Sequence, residues 1–458
     1  MLQGRIAQAP WTGAAIAAAG FILAGSVAAI AVNWPGHLSY DSILQLLQGR
    51  TGLYNTWHPP VMAWLLGLFD AVVPGAGLFV VFDVALGFGA FFGVLLLAPD
   101  RARWRLPALA AIFVLSPQLL LYQGLVWKDV LFADAGVAGF VCLAHAFLHW
   151  DRRRRSGIWL AASVLLLSLA ATTRQNGMIL LPFAATAVGW TAAAGHGTWR
   201  RAALLGGGFL VATLGLALAA NALLDLRSNG DSGPAEQLHL LQIYDLSGAV
   251  ARDPAIRLDI LADDDPELER AIRGDGARLY TPMRNDPIAS SPTMQAALRD
   301  ADTDALGAEW RSLVVRHPWT YLEVRAADFY WILLTPDVAA SRPVFVGVEG
   351  PAPELHRLGI APRRDARDVA LDRYGKAFFG TPVFSHAFFV LAAGASLWVL
   401  LRRRRTADVA LAAMLASAFA FAASFFAISI SCDYRYLYVL DLSAMVALFY
   451  LALDWRRA

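Results

Sequence analysis

Residues 58–73 read HPPVMAWLLGLFDAVV, and the reading of this stretch decides how the rest of the chain is threaded. The apolar run from Val61 to Val73 follows Pro59-Pro60, is about thirteen residues long and contains Asp70. A helix rises about 1.5 Å per residue and the hydrocarbon layer is ~30 Å thick, so a span takes ~20 residues. A run this short is re-entrant or interfacial. If it did cross, Arg101, Arg103, Arg105 and the arginine clusters after them would change sides. Basic residues beside spans stay in the cytoplasm. Val61–Val73 is therefore expected to be a helix held against the extracytoplasmic face.

Working outward, the chain has 458 residues, 57% of them hydrophobic, with a mean hydropathy of +0.50. Recurring apolar stretches near span length predict an all-α polytopic membrane protein, because helices satisfy their own backbone in lipid. About ten transmembrane helices are expected: 11–33, 78–98, 106–124, 129–149, 157–173, 177–195, 202–224, 382–401, 407–430 and 434–454. The first is expected to be a retained signal-anchor. The organisation reads as an N-terminal transmembrane catalytic module (1–224), one α-rich extracytoplasmic domain (225–380) and C-terminal transmembrane helices (381–458). Within that domain, Glu309–Leu334 reads as a helix restarted at Pro318, with aromatic residues suited to a membrane interface.

Polar residues sort by side. Arginine clusters, including Arg152–Arg155, Arg200-Arg201 and Arg402–Arg405, follow every second apolar stretch. The opposite face receives Asp41, His58, Lys128-Asp129, Arg174-Gln175-Asn176 and Asp433-Tyr434-Arg435. Over Ser39–Gln48, Ile43, Leu44, Leu46 and Leu47 make one helical stripe, and Asp41, Gln45 and Gln48 make another. Asp41 can take a proton from an acceptor hydroxyl; it also suits the first turn of a helix. His58, Lys128, Arg174 and Arg435 run against the positive-inside bias, and phosphate is their natural ligand. Snorkelling to the interface is the plainer explanation for any one of them. Lys128 carries extra weight, since the chain has only one other lysine, Lys376. Asp129 can pair with a cation, position an acceptor, share a divalent metal ion with Asp41, or cap the span that begins there. Asn176 and Tyr434 complete the expected contacts, along with Gln45.

Tyr40-Asp41-Ser42 after the first span, His58-Pro59-Pro60 opening a short apolar helix, and Trp127-Lys128-Asp129 together resemble the polytopic glycosyltransferases of the C-type fold. That family includes the protein O-mannosyltransferases and the lipid A aminoarabinose transferase. Arg174-Gln175-Asn176-Gly177 and Tyr434-Arg435-Tyr436 are similar to those of its bacterial uncharacterised branch. The resemblance implies a polyprenyl-phosphate sugar donor, inversion at the anomeric carbon and an outer-face active site; arginine-dominated basic usage and the lack of an Asn-x-Ser/Thr sequon are compatible with a bacterial inner membrane, whose outer face is periplasmic. The resemblance also implies that Asp41 is the base, that His58 contacts the donor phosphate and that Asp129 is the later-loop acid. Many relatives carry Asp-Glu where this chain has Asp41-Ser42.

The expected partners are the lipid-linked donor, membrane lipids, and a glycan, lipid or protein acceptor. Nucleic acid is not among them, because the arginine runs sit at span ends. No certain cofactor is implied. ATP-driven transport has no motif to support it. A lipid-linked sugar flippase, an O-antigen ligase and a membrane scaffold are the competing readings.

Overall fold

The computed structural model describes residues 11–194, 198–228, 233–299 and 301–453. The protein is an all-α polytopic membrane protein. Among the described residues nine helices are long and apolar enough to cross a membrane, ten if one bent pair is a single span. Among the described residues extended pairing is confined to isolated bridges.

The helices are α1 (Gly13–Asn33), α2 (Tyr40–Thr51), α3 (Val61–Asp70), α4 (Gly77–Leu97), α5 (Arg105–Val114) and α6 (Pro117–Leu120). They continue with α7 (Lys128–Leu148), α8 (Arg153–Thr173), α9 (Leu180–Ala194), α10 (Trp199–Asp225) and α11 (Gly233–Arg252). The last spans are His386–Arg403, Thr406–Ile428 and Tyr434–Leu453.

The expected span 106–124 is broken. α5 and the segment Pro117–Gly124 meet at 62°. Proline lacks an N–H and pushes the residue before it out of the helical region; Ser116 is accordingly extended, with φ −80 and ψ 146.

α3 holds 10 residues, about 15 Å of helix, half of what the hydrocarbon requires. Its end is pinned. Arg50 donates to Asp70 through Nε at 2.8 Å and Nη2 at 2.6 Å, and the Gly75 amide donates to the same carboxylate at 2.7 Å. The Arg50 hydrogen bond holds the Asp70 carboxyl below its ordinary range.

The described residues fall into two compact units. The first takes those up to 228 with 344–421 and 437–453. Its centre is α7, buried along its apolar length and packed on α8, where Gly139 lies against Leu167.

The second unit takes 233–343 with 422–436. Its apolar core gathers Ile243, Leu246, Leu261, Ile272, Leu306 and Leu313 around α11. Helix Thr303–Arg316 ends at His317 and Pro318–Leu334 begins anew, as Pro318 dictates. Arg325 is buried in an ion pair with Asp245, and Trp310 Nε1 donates to the same carboxylate at 2.8 Å. Burial pushes the neighbouring Asp328 carboxyl up to about 8, against the opposing pull of Arg325.

Candidate active site

The site is assembled by short-range locks between the first loop and the residues that lead into α7. The His37 amide donates to Gly124 O at 2.9 Å, and the Val126 amide donates to His37 O at 3.1 Å. One turn on, buried Ser42 donates to Val126 O at 2.5 Å. Trp127 Nε1 donates to Ser39 Oγ at 3.0 Å. The first turn of α2, which carries Asp41, is thereby fastened to the residues just before Lys128.

Segment 344–376 braces the same loop. Leu38 donates to Gly347 O at 2.9 Å and the Glu349 amide donates to Leu38 O at 3.0 Å. Arg363 donates to Gly36 O at 3.0 Å and to Asp368. The Gly347 amide donates to His37 Nδ1 at 2.9 Å, so Nε2 carries the proton and donates to Asn33 Oδ1 at 2.9 Å. The ring is neutral. Burial, reinforced by Arg363, lowers His37 from 6.5 to about 4, with Asp368 pulling the other way.

Asp41, His58 and Lys128 come together from separate loops. Lys128 Nζ lies 2.9 Å from His58 Nδ1. His58 Nε2 lies 3.7 Å from Asp41 Oδ1, and the Asp41 side chain is 34% exposed. An ammonium only donates, so Nδ1 accepts and a neutral His58 presents its Nε2–H toward Asp41. Lys128 opens α7, at the helix end where the dipole favours an anion.

Beside it, Asp129 forms a buried ion pair with Arg174. Arg174 Nε also reaches Asn176 Oδ1 at 3.4 Å, and its guanidinium stands 5.6 Å from the centre of the Phe421 ring. Phe421 in turn packs on Phe132 at 4.5 Å between ring centres. Gln45 is buried on α2, and its amide oxygen has no hydrogen-bond partner among the described residues.

Tyr434 and Arg435 belong to the second unit. The Tyr434 amide donates to Ser341 O at 2.8 Å. Arg435 Nη2 lies 3.3 Å from Asp433, whose other oxygen is 3.5 Å from Arg284.

The donors do not compose a divalent-metal site. Among the described residues no three His, Cys, Asp or Glu side chains converge, and Asp129 is engaged by Arg174.

Sequence reasoning missed His37, Ser42, Arg363, Asp368 and Phe421. Ser42 stood beside Asp41 and read only as a departure from the family. His37 sits four residues after Asn33, a helical spacing that could have flagged their contact. The partners in 344–421 are distant in sequence and left no local signal.

No protein-family model and no curated protein matches this chain. Among solved structures, archaeal oligosaccharyltransferase AglB from Archaeoglobus fulgidus, in complex with an inhibitory peptide and a dolichol-phosphate, is similar at 14% identity. That alignment has a TM-score of 0.41 and covers 95% of this chain and 50% of the other. An Archaeoglobus fulgidus oligosaccharyltransferase complexed with Zn and sulfate aligns at 13% identity and TM-score 0.40, over 94% and 48%. One tethered to an acceptor peptide containing the NVT sequon aligns at 12% and 0.42, over 95% and 49%. The chain spans about half the length of these structures.

Proposed function

We propose that this protein is an inverting glycosyltransferase of the C-type fold. It takes a sugar from a polyprenyl-phosphate donor and passes it to an envelope acceptor on the periplasmic face of the bacterial inner membrane. The observation that carries this reading is the Asp41–His58–Lys128 arrangement: a part-exposed carboxylate and a cation held on opposite edges of one imidazole.

The chemistry follows from the charges. The acceptor oxygen attacks the anomeric carbon while the bond from that carbon to the phosphate oxygen breaks. The electron pair leaves with the polyprenyl phosphate, and the acceptor proton passes to Asp41. Negative charge grows on the leaving phosphate, where Lys128 and the α7 N-terminus favour it more in the transition state than in the ground state. Neutral His58 spaces and orients the base and the cation, a role that differs from direct phosphate contact. Asp129 holds the Arg174 guanidinium in place, with Gln45 and Asn176 positioned for sugar or acceptor hydroxyls. Tyr434 and Arg435 are proposed to contact substrate.

A test needs neither sugar nor acceptor identified beforehand. Envelope lipids, polysaccharides and proteins of a deletion strain are compared by mass spectrometry with strains complemented by wild type or Asp41→Asn. The variant is expected to insert normally and to lose 10²- to 10⁴-fold in product formation, the usual range for a general base. Full complementation by Asp41→Asn removes Asp41 from that role.

A carrier of lipid-linked sugar is the second reading, favoured by Asp83 and Asp134, which lie buried in α4 and α7. Intramembrane acids often mark transport paths. On that reading Asp83→Asn abolishes product formation while Asp41→Asn retains it.

A further inference from the structure

The outward ridge of α9 is Pro182, Thr186 and Trp190, at spacings of four, and it separates two cavities of about 570 and 480 Å³. The larger runs toward helices His386–Arg403 and Thr406–Ile428, past Phe183, Leu397, Leu401, Ala413 and Ala416. The smaller runs toward α10, past Ala193, Ala203, Gly207 and Leu210. Trp190, which both share, is 60% exposed. Such walls suit hydrocarbon chains and nothing polar.

Charge appears at one end. Of the two ionisable residues lining the larger groove, Asp408 is consumed internally: it accepts from Arg403 at 2.7 and 3.2 Å, from the Arg405 amide at 3.0 Å and from Tyr450 at 2.8 Å. Arg404 is exposed, and its Nε donates to the Leu401 carbonyl at 3.1 Å. The smaller groove begins at Ala202 and Ala203, in the first turn of α10 next to Arg200 and Arg201. The larger groove therefore pairs an apolar trough with a cationic mouth, and the smaller one ends beside the turn of α10 that carries Arg200 and Arg201.

We propose that this ridge seats an anionic diacyl phospholipid, one acyl chain in each groove and the phosphate at the arginine end. A single polyprenyl chain fills one groove and leaves the other empty. A zwitterionic headgroup brings its own cation to the arginines and gains less from them.

The test uses the full chain in detergent, stripped of lipid, with thermal unfolding followed as lipid is added back. Phosphatidylglycerol is expected to raise the midpoint at lower concentration than phosphatidylcholine or a polyprenyl phosphate. Arg404→Ala is expected to raise the half-saturating phosphatidylglycerol concentration about fivefold, the worth of one arginine near an anionic headgroup. Gly207→Leu, where an added Cβ meets nothing within 4 Å, and Ala413→Leu each fill one groove and are expected to weaken the response separately. Equal response to phosphatidylcholine overturns the proposal. So does preference for the polyprenyl phosphate, or an unchanged half-saturation in Arg404→Ala.

Discussion

The ion pair between Arg174 and Asp129 lies almost out of water, with side-chain exposures of 9% and 1%. Removing one member of such a pair leaves the other as an uncompensated buried charge, which typically costs 3–5 kcal/mol. Arg174→Met is expected to lose about that much stability in chemical denaturation, and adding Asp129→Asn should return most of it. A double variant no more stable than the single one contradicts the pairing. The sequence placed both residues at span ends opposite the arginine clusters, and that much was legible. Which carboxylate faces which guanidinium depends on how α7 and the loop after α8 meet, and no local pattern encodes it. The contacts of His37 with Gly347 and Arg363 were hidden for the same reason, since those partners lie more than 300 residues away. Because His37 is held neutral with its affinity for a proton lowered to about 4, the unfolded chain binds a proton there that the folded chain does not. Stability on account of His37 is complete above pH ~6.5 and falls as the pH drops toward ~4, by up to about 3 kcal/mol. Melting curves between pH 7.5 and 5 should slope downward with acid, and His37→Asn should flatten that slope while lowering the plateau.

Hydrophobic runs and proline positions gave most elements to within a few residues, including the restart at Pro318 and the short helix after Pro60. The exception is informative. The stretch 106–124 has the composition of a span, yet the Ser116-Pro117 break bends it by 62°, because composition measures transfer to lipid and not backbone continuity. The packing of α2 on α3 was equally invisible beforehand. A Cβ on Gly49 would land on the Ala63 carbonyl oxygen and the Gly67 backbone, and one on Gly67 would land on Gly49. The two helices meet backbone to backbone at that point, which only glycine permits. Gly49→Ala must push them apart. It is expected to destabilise the fold by 1–3 kcal/mol, as overpacking does, and to reduce product formation because α2 carries Asp41. A Gly49→Ala protein with wild-type melting and wild-type activity argues against the crossing.

At the scale of the molecule, the topology can be cross-examined by which ends of which helices touch. Tyr54, in the loop before α3, receives its backbone contact from the end of α10, its amide donating to Arg227 O at 3.3 Å. Leu125 and His37 pair in the same way after α6 and α1. At the other end, Thr12 donates to the Ala102 carbonyl at 3.2 Å and Arg105 donates to the Ala452 carbonyl at 2.9 Å. With the bent pair counted as one span, six spans lie between Tyr54 and Arg227 when α3 does not cross, and an even number is what their contact requires. The arginine-rich turns then share one face and the Asp41 loop the other, as the positive-inside rule demands. Single cysteines test the assignment in a background where Cys142 and Cys432 are replaced. Leu53 is 56% exposed and Arg154 is exposed, so Leu53→Cys and Arg154→Cys both leave a reachable thiol. In intact spheroplasts an impermeant maleimide is expected to modify Leu53→Cys and to spare Arg154→Cys until the membrane is lysed. The reverse pattern turns the molecule over and puts Asp41 in the cytoplasm. Modification of both from outside means that α3 spans or that the bent pair does not, and either way the loops that hold Asp41 and Lys128 would face opposite leaflets.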